Sequence, residues 1–112
     1  DGKKAVPIIK YNIEKLKLNN FTKIFFGDAI KTLKNKKTNF PLFDLVFCDP
    51  PFKNNDVNQV LFHLNKNKLL RKNNLVVIHR NKETLERFNK NLKILETKTY
   101  GISKIIFGIL LF

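Results

Sequence analysis

Phe43-Asp44-Leu45-Val46-Phe47-Cys48-Asp49-Pro50-Pro51-Phe52 decides how the rest of this chain is read. Its first six residues form a near-continuous apolar run, the pattern of a strand covered on both faces. The run cannot continue, because Pro50 and Pro51 supply no N–H donors to a ladder. In open α/β sheets ligands bind beyond the carboxyl ends of strands, and this acidic-Pro-Pro-aromatic turn stands at such an end. Asp49 presents a carboxylate, the prolines fix the directions of nearby carbonyls, and Phe52 offers a flat apolar face. That set suits a planar base with an exocyclic amine, whose lone pair is delocalised into the ring. The Asp49 carboxylate and the Pro50 carbonyl can accept its two hydrogens and turn the nitrogen toward an electrophile, while Phe52 stacks on the ring. Most of the rate gain then comes from alignment, with the acceptors also stabilising positive charge on nitrogen. The plain alternative is an ordinary Pro-Pro turn in which Asp49 caps something local.

Outward from this stretch, residues 5–18 place Ala5, Ile9, Ile13 and Leu16 on one helical stripe. Pro7 fits a helix only in its first turn, so the helix is expected to start near Val6 and to end at Asn19-Asn20. Residues 21–27 read as a short strand, and residues 28–34 as a short helix with Ala29, Ile30 and Leu33 inward. Asp56 is the expected N-cap of a helix carrying Val60, Leu61, Leu64 and Leu69. Residues 75–79 read as a buried strand, 83–89 as a helix and 92–100 as an edge strand. Gly101 then turns the chain into a last strand over 102–111. Strands alternating with helices, closed by two consecutive strands, predict an α/β sheet ending in an antiparallel hairpin.

The 112 residues allow one domain at most. A formal charge of +13 favours an anionic partner, nucleic acid foremost, although nineteen of the 22 basic residues are Lys, which binds phosphate as a point charge. A/T-rich codon usage would also inflate Lys without any partner. The chain lacks an apolar run of membrane-spanning length and a signal-peptide pattern after Asp1-Gly2-Lys3-Lys4, so membrane insertion and secretion are set aside. A lone Cys suits a reducing cytosol, and Cys48 reads as core filler. With glycine only at Gly2, Gly27, Gly101 and Gly108, the chain has no glycine-rich phosphate loop; no His or acidic cluster has metal-ligand spacing.

Asp-Pro-Pro-Phe after an apolar strand resembles motif IV of the S-adenosylmethionine-dependent amino-methyltransferases. Within that group the whole chain resembles the RsmD-type 16S ribosomal RNA guanine-N2 methyltransferases. The resemblance runs through Lys4-Ala5-Val6, Asn12-Ile13-Glu14-Lys15-Leu16, Asp28-Ala29, the decisive stretch itself, and Tyr100-Gly101-Ile102-Ser103. It implies a Rossmann-like class I methyltransferase sheet and S-adenosylmethionine as cofactor. Asp49, Pro50, Pro51 and Phe52 would form the catalytic turn. Asp28 would accept from the cofactor's adenine amine, the Ala29 N–H would meet the ring edge, and Asp1 would grip the ribose hydroxyls. Asp28 could equally cap the helix it starts. Phe52, Lys53, His79 and Arg80 would face the substrate, small-subunit ribosomal RNA, in the cytoplasm. His79 and Arg80 also admit structural roles.

The same resemblance implies the sheet order 3-2-1-4-5-7-6, with the chain opening at the end of the second strand. Residues 1–112 are then expected to be a single partial methyltransferase domain, the second half of the fold. Four neighbouring strands should remain as a sheet, and the strand at 21–27 would lack its partners. Cofactor binding is expected to be weak without the missing N-terminal half. An adenine-N6 methyltransferase and a non-catalytic basic RNA-binding remnant are the alternatives.

Overall fold

The computed structural model describes residues 2–22, 28–34, 41–49, 56–85 and 87–112. The decisive strand forms as read: β1 is Phe43–Cys48. It is followed by β2 (Leu70–Asn81), β3 (Leu92–Tyr100) and β4 (Ser103–Leu110). Three α-helices are described, α1 (Gly2–Lys15), α2 (Ala29–Lys34) and α3 (Asp56–Lys66). The four strands lie in the order β1-β2-β4-β3. β1 and β2 are parallel, while β4 runs antiparallel to both β2 and β3. This mixed α/β sheet has the order expected for strands 4-5-7-6, and Gly101, at φ 56, makes the turn between its last two strands.

One face of the sheet is covered by α3, because its apolar residues fall on a single stripe. Val57, Leu61 and Leu64 are each at most 3% exposed. They meet Val76 and Ile78 of β2, Ile106 and Leu110 of β4, and Leu92 of β3. Each such side chain contributes about 1.5–3 kcal/mol on burial, so this layer holds the fold together. Helix α3 ends with two overlapping bonds, Leu69 N–H to the Leu64 carbonyl and Lys68 N–H to the Asn65 carbonyl. Lys68 takes the left-handed conformation (φ 52) that such an ending needs and that glycine usually supplies. Leu69 then leads straight into β2. Among the described residues no helix is long and apolar enough to cross a membrane.

Several expectations are corrected. Helix α1 begins at Gly2 rather than near Val6, so Pro7 lies inside it and the helix does without one backbone bond. It ends at Lys15, where Leu18 N–H and Lys17 N–H bond back to Ile13 and Glu14 around a left-handed Lys17 (φ 58). None of its described side chains joins the buried core; Ile8 and Tyr11 are 61% and 60% exposed. Phe21 closes a 3-10 turn over Asn19–Phe21 instead of opening a strand, and residues 23–27 lie outside the described residues. Strand β1 is covered on one face only: Val46 and Cys48 turn toward α3, whereas Leu45 and Phe47 are 60% and 63% exposed. It lies at the edge of the sheet, and no described element covers its second face.

The helix expected over 83–89 is absent from the described residues there. Its backbone groups find other partners. The Glu83 N–H bonds the Asn81 side chain, and Asn58 of α3 donates to the Arg87 carbonyl and accepts from the Asn89 N–H. Two side-chain amides thus replace the ladder of a helix, pinning the connection across α3.

Candidate active site

Strand direction creates the site. Parallel β1 and β2 end on the same side of the sheet, and antiparallel β4 begins there. Asp49 therefore follows the last residue of β1, His79 lies near the end of β2, and Ser103 opens β4. The register places Cys48 opposite Ile78, and Asn81 opposite Ser103. Side chains alternate across a sheet, so Asp49, His79 and Ser103 share the face turned away from α3.

They are joined by hydrogen bonds. His79 Nδ1 lies 3.0 Å from Asp49 Oδ1, and His79 Nε2 lies 2.9 Å from Ser103 Oγ. The Asp49 side chain stays 55% exposed and that of His79 28%. The carboxylate is thus tethered and open at once, which suits an acceptor for an incoming molecule. Arg80 is different. One residue along the strand, it turns to the opposite face and is only 2% exposed, so the expected contact with substrate is replaced by burial in the α3 layer. Ser103 belongs to the Tyr100-Gly101-Ile102-Ser103 motif, and its bond to His79 follows from the strand order, which sets the start of antiparallel β4 beside the end of β2.

A cavity of about 500 Å³ opens beside Asp49, along the outer edge of β1. Leu33, Val46, Phe47 and Leu64 give it a largely apolar lining, and Ala29 and Asp49 both border it. The volume is that of a small-molecule site. Asp28 starts the helix behind Ala29: its Oδ1 accepts the N–H groups of Ile30 (2.8 Å) and Lys31 (3.1 Å). It is an N-cap, and since a carboxylate has about four acceptor sites, it retains capacity for a further donor. Asp1, Pro50, Pro51, Phe52 and Lys53 lie outside the described residues. Cys48, next to Asp49, points into the core, and burial pushes its thiol up to about 11, far from a nucleophile's range. His63 stands on α3 away from the site, its pKa lowered by burial and by the charges of Lys34 and Lys66. Among the described residues no three His, Cys, Asp or Glu side chains gather as metal ligands.

Comparison with known proteins follows this geometry. The family described as "Conserved hypothetical protein 95" matches residues 1–109. An uncharacterized methylase of Rickettsia prowazekii is 35% identical over 95 residues, covering 84% of this chain and 38% of that protein. The ribosomal RNA small subunit methyltransferase D of Haemophilus influenzae is 30% identical over 94 residues, covering 84% of this chain and 49% of its own length. A solved structure, a conserved hypothetical protein from Streptococcus pyogenes, superposes with a TM-score of 0.82 at 29% identity, over 96% of this chain and 66% of that one. The chain thus spans half or less of the first two relatives.

Proposed function

The chain belongs to the conserved hypothetical protein 95 family, and from that premise we propose that it carries the amine-binding half of a methyltransferase acting on ribosomal RNA. The reading is transfer of a methyl group from S-adenosylmethionine to the exocyclic N2 amine of a guanine in 16S ribosomal RNA. Residues 1–112 would form part of one methyltransferase domain, working in the cytoplasm together with an N-terminal half that supplies the rest of the cofactor site. The methylase and methyltransferase names of the two relatives support the reaction class. The observation that carries the reading is Asp49: an exposed carboxylate at the carboxyl end of β1, on the rim of an apolar cavity that Ala29 also borders.

The described residues fit the cofactor in part. The apolar cavity suits an adenine ring, Asp28 has acceptor capacity for its amine beyond the two N–H groups it caps, and Ala29 borders the same cavity. Bound there, S-adenosylmethionine would supply a methyl group on a positively charged sulfur. Asp49 would accept a hydrogen of the guanine amine and orient the nitrogen lone pair toward that methyl. As the N–C bond formed and the S–C bond broke, leaving the spent cofactor as a neutral thioether, positive charge would grow on the nitrogen; the carboxylate would stabilise it until the amine proton passed to water. Pro50 would contribute its carbonyl to the second hydrogen and Phe52 would stack on the base, with Pro51 stiffening the turn. Lys53 and the overall charge of +13 would attract the RNA backbone.

The test uses the full-length protein, labelled S-adenosylmethionine and small-subunit ribosomal RNA, with the product digested to nucleosides. Label in N2-methylguanosine supports the reading. Label in N6-methyladenosine overturns the guanine assignment. Tight RNA binding without transfer would make the protein a non-catalytic RNA binder.

A further inference from the structure

We propose that His79 and Ser103 are positioning residues for Asp49: a chain of hydrogen bonds from Ser103 Oγ through the His79 ring to Asp49 Oδ1 aims the carboxylate and couples its acceptor strength to the protonation of the imidazole. This rests on the reading of Asp49 as acceptor for the target amine.

Three adjacent strands of one sheet build the chain, one residue from each strand or its end. The end of β1 carries Asp49, β2 carries His79 and β4 carries Ser103. The distances, 3.0 Å and 2.9 Å, are those of real hydrogen bonds at both ring nitrogens. An ionised carboxylate can only accept, so Nδ1 must carry the proton. Nε2 of the neutral ring is then an acceptor, and the Ser103 hydroxyl donates to it. Asp49 thereby sets the tautomer and Ser103 holds the ring's other nitrogen, fixing its orientation; Asp49 turns one oxygen to the ring while the carboxylate keeps acceptor capacity for a base. The same three residue types act as acid, base and nucleophile in serine hydrolases. Here Ser103 lies inside the ladder, opposite both Asn81 and Tyr100, so its backbone offers no oxyanion site. The arrangement positions a carboxylate; it does not activate the hydroxyl.

Protonation reverses the pattern. An imidazolium donates from both nitrogens, so Ser103 becomes an acceptor and Asp49 faces a full positive charge. A carboxylate paired with a cation is a weaker acceptor for an amine that is itself becoming positive. Asp49 at the end of β1 faces the ring, Arg80 beside it turns into the opposite face, and the Lys104 ammonium bonds the Thr84 carbonyl. Methyl transfer should therefore fall as acidification charges the ring.

The experiment measures kcat against pH for the full-length protein and its H79A, H79N and D49A variants. H79A should lower kcat by about ten- to a hundredfold with the KM for S-adenosylmethionine within about twofold, as expected for losing one hydrogen bond to a charged group. Asparagine places an amide N–H near the lost Nδ1 and cannot titrate. H79N should restore about tenfold over H79A, and its acid limb should be displaced from that of the wild type. If H79A does not fold, the H79N profile decides alone. A wild-type acid limb in H79N overturns the coupling. Wild-type kcat in H79A, with D49A inactive, overturns the positioning role and leaves Asp49 standing. Wild-type activity in D49A instead overturns the reading of Asp49 itself.

Discussion

The side-chain amide of Asn74 replaces a strand neighbour for Leu110: its Oδ1 accepts the Leu110 N–H at 2.8 Å and its Nδ2 donates to the Leu110 carbonyl at 2.9 Å. The cause is a detour in β2. Pairing with β1 jumps from Phe43–Leu70 to Leu45–Leu75, so the backbone of residues 71–74 leaves the regular ladder just where β4 needs a partner. Asn74 is 3% exposed, and its amide also bonds the Arg71 carbonyl, which fixes the detour itself.

Replacing Asn74 by Ala should therefore cost about 2–4 kcal/mol, because it strands buried backbone groups of two segments. Denaturant unfolding of the folded protein measures this. A loss below about 0.5 kcal/mol would mean that the backbone re-pairs once the amide is gone.

Gly108 makes a second close approach. A Cβ there would come within 2.9 Å of both the Lys93 carbonyl and Leu92 Cδ1, beside the irregular pairing between Ile94 and Glu96 of β3. G108A should destabilise by about 1–3 kcal/mol, since one of those neighbours is backbone and cannot rotate away. Thermal melting of the variant against wild type tests it.

Lys68 offers the opposite sign. Its φ of 52 strains a residue with a side chain, and the Schellman ending of α3 keeps it there. K68G should raise stability, by about 0.5 kcal/mol after the greater freedom of glycine in the unfolded chain is offset. The same melting experiment reads the change.

Cys48 should be chemically quiet. With its thiol raised to about 11 by burial, the thiolate fraction at pH 8 falls about a hundredfold below that of an unperturbed cysteine. Thiol-reactive dye should label the native protein slowly and the denatured protein at once.

Much of this architecture was legible in the chain because each feature had a local cause. The apolar run before Pro50-Pro51 gave β1 its bounds, Gly101 marked the hairpin, and the Asp28 cap opened α2. The order of the four strands came from resemblance, and the pairing bears it out. The misses share another cause, tertiary partners invisible to local pattern. Asn58 holds residues 87 and 89 out of a helix, Asn74 lets β2 begin five residues early at Leu70, and Pro7 is tolerated within α1. At the site, Asp49 and His79 were named from sequence without the bond between them. Ser103 needed the register of β2 and β4, and Arg80 needed strand alternation counted from Ile78 to reveal that it points inward.

The central claim is that the Asp49 carboxylate grasps the amine to be methylated. It is tested most directly by comparing D49A and D49N with wild type in the full-length protein, following labelled methyl transfer to small-subunit ribosomal RNA while RNA affinity is measured in parallel. Both variants should lose at least about a hundredfold in kcat, with RNA binding within about threefold of wild type. Transfer by D49A at a rate near that of wild type would contradict the account.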